Sequence, residues 1–193
     1  MQDIILASQS PRRKMLLEWA EIPFEVIVKN TDESYPEGLS LSEIAIHIAR
    51  NKALAAKAYV QDSFHGEYAK KTILAADTIV VLENKVIGKP EDRNDAVNIL
   101  KSLSGKQHLV ITGVVILAAS GEIAFADTTE VSFHSLTDEQ IEFYVDKYQP
   151  YDKAGAYAIQ EWIGVVGIKS VKGDFYNVMG LPVSRVVQAL APL

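Results

Sequence analysis

The run Thr72-Ile73-Leu74-Ala75-Ala76-Asp77-Thr78-Ile79-Val80-Val81-Leu82 constrains the fold more than any other part of the chain. It is the most hydrophobic strand-like stretch in the sequence, and it is apolar on both of its alternating faces. A strand of that kind must be covered on both sides, which places it at the centre of a sheet. Asp77 interrupts it. A carboxylate there is strongly destabilising unless it is paired, hydrogen-bonded or bound to a metal. No basic residue lies near it along the strand, which weighs toward a functional acid over a salt-bridged structural one.

Ile4-Ile5-Leu6 reads as a second, shorter buried strand, running through Ala7-Ser8-Gln9-Ser10 into a helix. Ser10 is a good N-cap and Pro11 suits the first helical position. Arg12 and Arg13 then fall in the first turn, where the helix dipole disfavours cations. Either they point into water, or an anion docks there on backbone N–H groups, the hydroxyls of Ser8 and Ser10, and a guanidinium. Helical spacing predicts that Met15, Leu16 and Trp19 are buried. A strand over residues 24–28 precedes a polar loop containing Asp32 and Glu33, which are either solvated surface or a metal or base pair. Ser40-Leu41-Ser42-Glu43 is a capping box opening a helix with Ala45, Ile48, Ala55 and Tyr59 in its stripe. Lys52 falls inside that stripe. Its stem either snorkels to water or its ammonium is aimed at an anion.

Beyond the central run, Glu83-Asn84-Lys85 reads as a hairpin turn, followed by Gly88-Lys89-Pro90. A helix over residues 95–103 presents Ala96, Leu100 and Leu103 on one face, with Gly105 just past its end. Strands over 109–117 and 123–133 flank a Ser120-Gly121 turn. Thr137-Asp138-Glu139-Gln140 is a second capping box, with Ile141, Tyr144 and Val145 inward. In Asp152-Lys153-Ala154-Gly155-Ala156-Tyr157-Ala158-Ile159-Gln160 small residues alternate through a stretch that also carries charge. That pattern fits either close approach of backbone to a ligand or a small-residue strand under a helix. The Gln160 amide has the donors and acceptor needed to read a nucleobase edge. Residues 163–171 read as a strand and 182–190 as a last helix. The class is α/β, an elongated mixed sheet flanked by helices.

Several functions are disfavoured. The net charge of −6 argues against bulk attraction to nucleic acid or an anionic membrane. The absence of cysteine excludes disulfides, thiol catalysis and cysteine-ligated metal. No apolar run approaches the ~20 residues of a membrane span, and no signal-peptide pattern opens the chain. A cytoplasmic protein is expected. His47, His65, His108 and His134 share no ligand spacing. Walker-type, GxGxxG and GxSxG motifs are all missing.

What remains is arginines and serines at a helix start, lysines at 52, 89 and 153, and carboxylates at 33, 77 and 152. Basic groups for a polyphosphate, with acids to hold a divalent cation and activate water, meet the needs of phosphoanhydride hydrolysis. In the same residues the chain resembles the Maf family. The resemblance runs in order through Ser8-Gln9-Ser10-Pro11-Arg12-Arg13, Ala76-Asp77-Thr78, Gly88-Lys89-Pro90, the 152–160 stretch and Asn177-Val178-Met179-Gly180-Leu181-Pro182.

The resemblance implies a nucleoside triphosphate pyrophosphatase that uses Mg²⁺ or Mn²⁺ and leaves the monophosphate. The family takes its name from an effect on septum formation. It also implies a fold similar to inosine triphosphate pyrophosphatases, one Maf-like domain over residues 1–193 with two lobes around a cleft, and a homodimer. By the same resemblance Asp77 accepts the proton of the attacking water. Glu33 is the further metal or water ligand. Ser8, Arg13, Lys52, Lys89 and Lys153 contact phosphates. Arg12, Thr78 and Gln160 select the substrate, and Ser10 and Asp152 belong to the same site. The form of the 152–160 stretch is similar to that of the subgroup acting on dTTP and UTP, with the 7-methyl-GTP subgroup second. A non-catalytic nucleotide-binding regulator of division is the alternative from another class. One departure from the family pattern is Glu161-Trp162, where many members have glycines.

Overall fold

The central run forms a strand, β3 (Thr72–Leu82), in which every residue is buried except Asp77 and Thr78, which are half-buried. The computed structural model describes residues 3–66 and 68–191. The other strands are β1 (Ile4–Leu6), β2 (Phe24–Val26), β4 (Lys85–Ile87), β5 (Gln107–Ala118), β6 (Gly121–Phe133) and β7 (Ile168–Lys172). The helices are α1 (Pro11–Trp19), α2 (Leu41–Ser63), α3 (Arg93–Leu103), α4 (Asp138–Tyr148), α5 (Trp162–Gly167), α6 (Phe175–Met179) and α7 (Val183–Leu190). The strands make one seven-stranded mixed sheet in the order β2-β1-β3-β5-β6-β7, with β4 also on β3. β1 runs parallel to both β2 and β3, with Leu6 opposite Leu74. β4 is antiparallel to β3, Val80 facing Ile87, across a two-residue turn in which Glu83 and Asn84 are both left-handed.

The chain divides into two compact units, and the boundary falls within β3 between Asp77 and Thr78. The first comprises the chain up to Asp77, Thr112–Asp127 and the chain from Gly180 on. Ala49, Ala53 and Ala56 of α2 pack there on Ile5, Ile73 and Val115 of the sheet. Small side chains bring the helix close. Gly113 of β5 brings it closer still, since a Cβ on it would lie 2.3 Å from the Ala45 carbonyl carbon.

The second unit comprises Thr78–Ile111 and Thr128–Met179. The rings of His108, Phe133 and Tyr157 meet edge-on within it, with centroids 5.1, 5.2 and 5.5 Å apart. His108 Nε2 lies 2.7 Å from the Tyr157 hydroxyl, and its Nδ1 has no hydrogen-bond partner among the described residues. Burial lowers the His108 pKa from 6.5 to about 4, so the ring is neutral at pH 7.

That shift ties stability to pH. Below the ordinary value the unfolded chain binds a proton on His108, and the native state does so only near the depressed one. The contribution is complete above about pH 6.5 and is lost as pH falls toward about 4, by roughly 3 kcal/mol in all. Urea titrations of wild type and His108→Gln at the two ends of that window test this. The variant is expected to lose less stability on acidification, and equal losses in the two proteins would contradict it.

Both capping boxes form as expected, Ser40 with Glu43 and Thr137 with Gln140. Three local expectations are corrected. Trp19 is 62% exposed, because α1 buries Arg13, Leu16 and Leu17. The buried face of α2 is Ile44, Ala45, Ile48, Ala49, Ala53, Ala56 and Val60, so Ala55 and Tyr59 lie off it. Residues 163–171 are not one strand but α5 followed by β7. Among the described residues no helix is long and apolar enough to cross a membrane.

Candidate active site

In the first unit, the turn from β1 into α1 is built by its own hydroxyls. The Ser10 N–H donates to Ser8 Oγ at 3.2 Å, and Ser10 Oγ accepts from the Arg13 N–H at 3.5 Å. Pro11 occupies the start of α1. Arg12 is half-buried beside it. Arg13 turns inward instead. Its Nε donates to the Gly180 carbonyl at 2.7 Å and its Nη1 to Ser8 Oγ at 3.1 Å. Desolvation lowers the Arg13 pKa to about 10, and neighbouring Arg12 adds to the lowering, while the Asp77 and Glu33 carboxylates oppose it. The guanidinium therefore stays charged at neutral pH and electrostatically faces both acids.

Lys52 comes from the fourth turn of α2, a helix held hard on the sheet by Gly113. Its Nζ donates to Asp77 Oδ1 at 2.6 Å and lies 2.7 Å from Glu33 Oε1. The side chains of Lys52 and Asp77 are 19% and 14% exposed, whereas that of Glu33 is 48% exposed. The base that compensates Asp77 thus comes from another element, which spacing along the strand could not reveal. Asp32 takes no part in this group and instead accepts from the N–H and hydroxyl of Ser34.

One ammonium between two carboxylates leaves the group net negative, with hard oxygen donors directed at a common point. Mg²⁺ and Mn²⁺ are held by one or two carboxylates together with phosphate oxygens and water. Asp77 and Glu33 fit that donor set. Among the described residues no cluster of three or more His, Cys, Asp or Glu side chains could enclose an ion unaided.

Thr78, Lys89, Asp152, Lys153 and Gln160 belong to the second unit. Thr78 follows Asp77 in β3. Lys89 is exposed in the loop after β4, and the preceding Gly88 carbonyl accepts from the Gly155 N–H at 3.0 Å. Gly155 is left-handed, with φ of +73°, and a Cβ on it would sit 2.9 Å from Val80. Ala156 beside it is buried at φ of +56°, an uncommon conformation for a residue with a Cβ and one that clusters at functional sites. Lys153 is buried, its Nζ 2.7 Å from Asp152 Oδ1 and 3.7 Å from Glu161 Oε1. Gln160 is exposed on the turn that leads into α5.

Four residues beyond those expected from sequence shape this second group. Tyr144 of α4 is fully buried, and its hydroxyl bonds the Glu161 carboxylate and accepts from the Ala158 N–H at 3.1 Å. His108 and Tyr157 brace the middle of the same stretch. The inward position of Tyr144 was legible from its helix. A buried phenol requires a polar partner, and that requirement was the available signal.

The family model and the relatives found by sequence agree with one another. The family model described as Maf-like protein matches residues 3–193. A dTTP/UTP pyrophosphatase of Cytophaga hutchinsonii is 50% identical over 97% of this chain and 83% of its own. A dTTP/UTP pyrophosphatase of Bacteroides thetaiotaomicron is 47% identical over 98% of this chain and 95% of its own. Among solved structures the Staphylococcus aureus Ham1 protein is similar at a TM-score of 0.40 and 15% identity, covering 68% of this chain and 72% of that one. That last likeness is too weak to build on. Nearly the whole chain is matched by the family model, and relatives close to half identical cover 97–98% of it, so the chain belongs to the Maf-like protein family.

Proposed function

We propose that this protein hydrolyses dTTP and UTP, releasing pyrophosphate and leaving the nucleoside monophosphate. The observation that carries the reading is the Asp77–Lys52–Glu33 group, a carboxylate on the central strand paired with an ammonium 2.6 Å away that also reaches a second carboxylate. The names of the relatives, matched over almost the full chain, support the choice of substrates.

Asp77 is the proton acceptor for the attacking water in this reading, since an ionised carboxylate in a partly dry site is a competent general base. Lys52 holds that carboxylate in direction and can exchange one of its acidic partners for a phosphate oxygen. Arg13, fixed on Gly180 and Ser8, contributes an immobile positive charge toward the same region. Ser8, Ser10 and Arg12 present the helix start to phosphate. Asp77 and Glu33 would hold a divalent cation, which when bound supplies charge stabilisation to the developing phosphate negative charge. In the second unit, Lys89 and Lys153 are the phosphate-side cations, Asp152 orients Lys153, and Thr78 and Gln160 select the base. The reading takes the two units as one functional domain in a cytoplasmic homodimer that does not bind nucleic acid, in keeping with the net charge of −6.

Pyrophosphate release from a panel of nucleoside triphosphates with Mg²⁺ or Mn²⁺ tests the substrate assignment. Turnover concentrated on dTTP and UTP is the expected result. Preference for 7-methyl-GTP would overturn the base assignment. Tight nucleotide binding with no turnover of any member would overturn the enzymatic reading.

A further inference from the structure

The 152–161 stretch is tied to itself in an unusual way. The single hydroxyl of Tyr144 reaches two points on it, the Glu161 carboxylate and the Ala158 N–H at 3.1 Å. Gln160 lies between those two points, so both of its flanks are fastened to one buried phenol. The fastening continues. Glu161 is 3.7 Å from the buried Lys153 ammonium, which in turn sits 2.7 Å from Asp152, so the two ends of the stretch are joined through charge. Backbone bonds add to this, with the Glu161 N–H donating to the Ala158 carbonyl at 3.1 Å and the Gly164 N–H to the Glu161 carbonyl at 2.9 Å. The start of α5 rests directly on the stretch, since a Cβ on Gly164 would fall 1.7 Å from the Ile159 carbonyl oxygen. Amid all this Gln160 itself is exposed.

A rigid frame around one exposed amide is what base discrimination requires. UTP and dTTP present a carbonyl at C4 and an N3–H, and CTP presents an amino group at C4 and a bare N3. A glutamine amide can favour the first pattern only if its oxygen and nitrogen are held in direction, because a swivelled amide satisfies either pattern equally. Tyr144 is well suited to fix the chain on either side of it, through the Ala158 N–H and the Glu161 carboxylate. Fully buried, its hydroxyl has no water to turn to, and the Glu161 carboxylate is a strong acceptor for it.

We infer that Tyr144 and Glu161 are positioning residues that set the direction of Gln160, and through it the selection of uracil and thymine over cytosine. This rests on the reading of Gln160 as the base-selecting residue given above. It assigns a role to the residue that departs from the family pattern, since only a side chain with an acceptor at position 161 can take the Tyr144 bond.

The experiment is a steady-state comparison of UTP and CTP for wild type, Tyr144→Phe, Glu161→Ala, Glu161→Gln and Gln160→Ala. Tyr144→Phe is expected to raise KM for UTP about tenfold and to lower the UTP-over-CTP ratio of kcat/KM by a similar factor, the loss of one well-made hydrogen bond. Its kcat should stay within about twofold, because the hydrolytic group is untouched. Glu161→Ala should behave alike, and it serves as the second variant should Tyr144→Phe fail to fold. Glu161→Gln keeps an acceptor for the phenol and should restore most of the selectivity. A purely structural role would change thermal stability or kcat for both nucleotides and leave the ratio intact. An unchanged ratio in both Tyr144→Phe and Glu161→Ala, with the ratio lost in Gln160→Ala, would overturn the inference and leave the role of Gln160 standing. An unchanged ratio in Gln160→Ala as well would remove the base-reading premise, and the inference with it.

Discussion

Replacing Asp77 with asparagine is expected to lower pyrophosphate release from UTP by about a thousandfold while the protein stays folded. The two halves of that expectation have separate causes. Asparagine keeps the size of the side chain, and Lys52 retains Glu33 at 2.7 Å, so no ammonium is stranded. Apart from Thr72 and Thr78 the rest of β3 is apolar, and none of it carries a charge. A stability loss of about 1–2 kcal/mol follows from trading an ion pair for an ammonium–amide hydrogen bond. The chemistry has no such reserve, because an amide cannot accept the proton of the attacking water and is a poor ligand for a divalent cation. Urea denaturation alongside kcat resolves the two. Turnover within tenfold of wild type would remove Asp77 from the mechanism. Glu33→Gln should be milder, since that carboxylate is half exposed and water can replace it.

Gly113→Ala should produce a large loss of stability in the first unit. The added carbon would lie 2.3, 2.4 and 2.5 Å from the Ala45 carbonyl carbon, the Ile46 nitrogen and the Ala45 oxygen. All three are backbone atoms, so no rotamer change relieves the clash and α2 itself must lift off the sheet. Overpacking of that kind costs about 3 kcal/mol or more. It should also reach the chemistry, because Lys52 lies two turns further along α2 and its 2.6 Å bond to Asp77 depends on where that helix sits. Urea midpoints and kcat measured well below the melting temperature should therefore fall together. Wild-type stability in this variant would contradict the packing account.

How much of this was legible in the sequence depended on whether the signal was local. The centrality of β3 followed from its two apolar faces, and the helix starts at Ser40 and Thr137 followed from capping boxes contained in four residues each. Apolar phase was less dependable. In α1 the inward face is shared by a buried arginine, and the Arg13 bonds to Gly180 and Ser8 outweigh the pull of Trp19 toward the core. Ile163, Val165 and Val166 have strand propensity, yet they lie in α5, where Gly164 sits close against the Ile159 carbonyl. The site was divided in the same way. Asp77, Lys52 and Gln160 stood out by residue type in an unexpected setting. The bridge from Lys52 to two acids joins residues 33, 52 and 77, and no local window contains it. The Tyr144–Glu161 tie joins residues 17 apart across a loop whose course no periodicity sets.

The most direct test of the account is the product balance on UTP and dTTP, read by anion-exchange separation after partial turnover with Mg²⁺ or Mn²⁺. Equal amounts of nucleoside monophosphate and pyrophosphate, with neither nucleoside diphosphate nor orthophosphate formed, are the predicted result. Accumulation of UDP or dTDP with orthophosphate would place the cut at the wrong phosphoanhydride and contradict it.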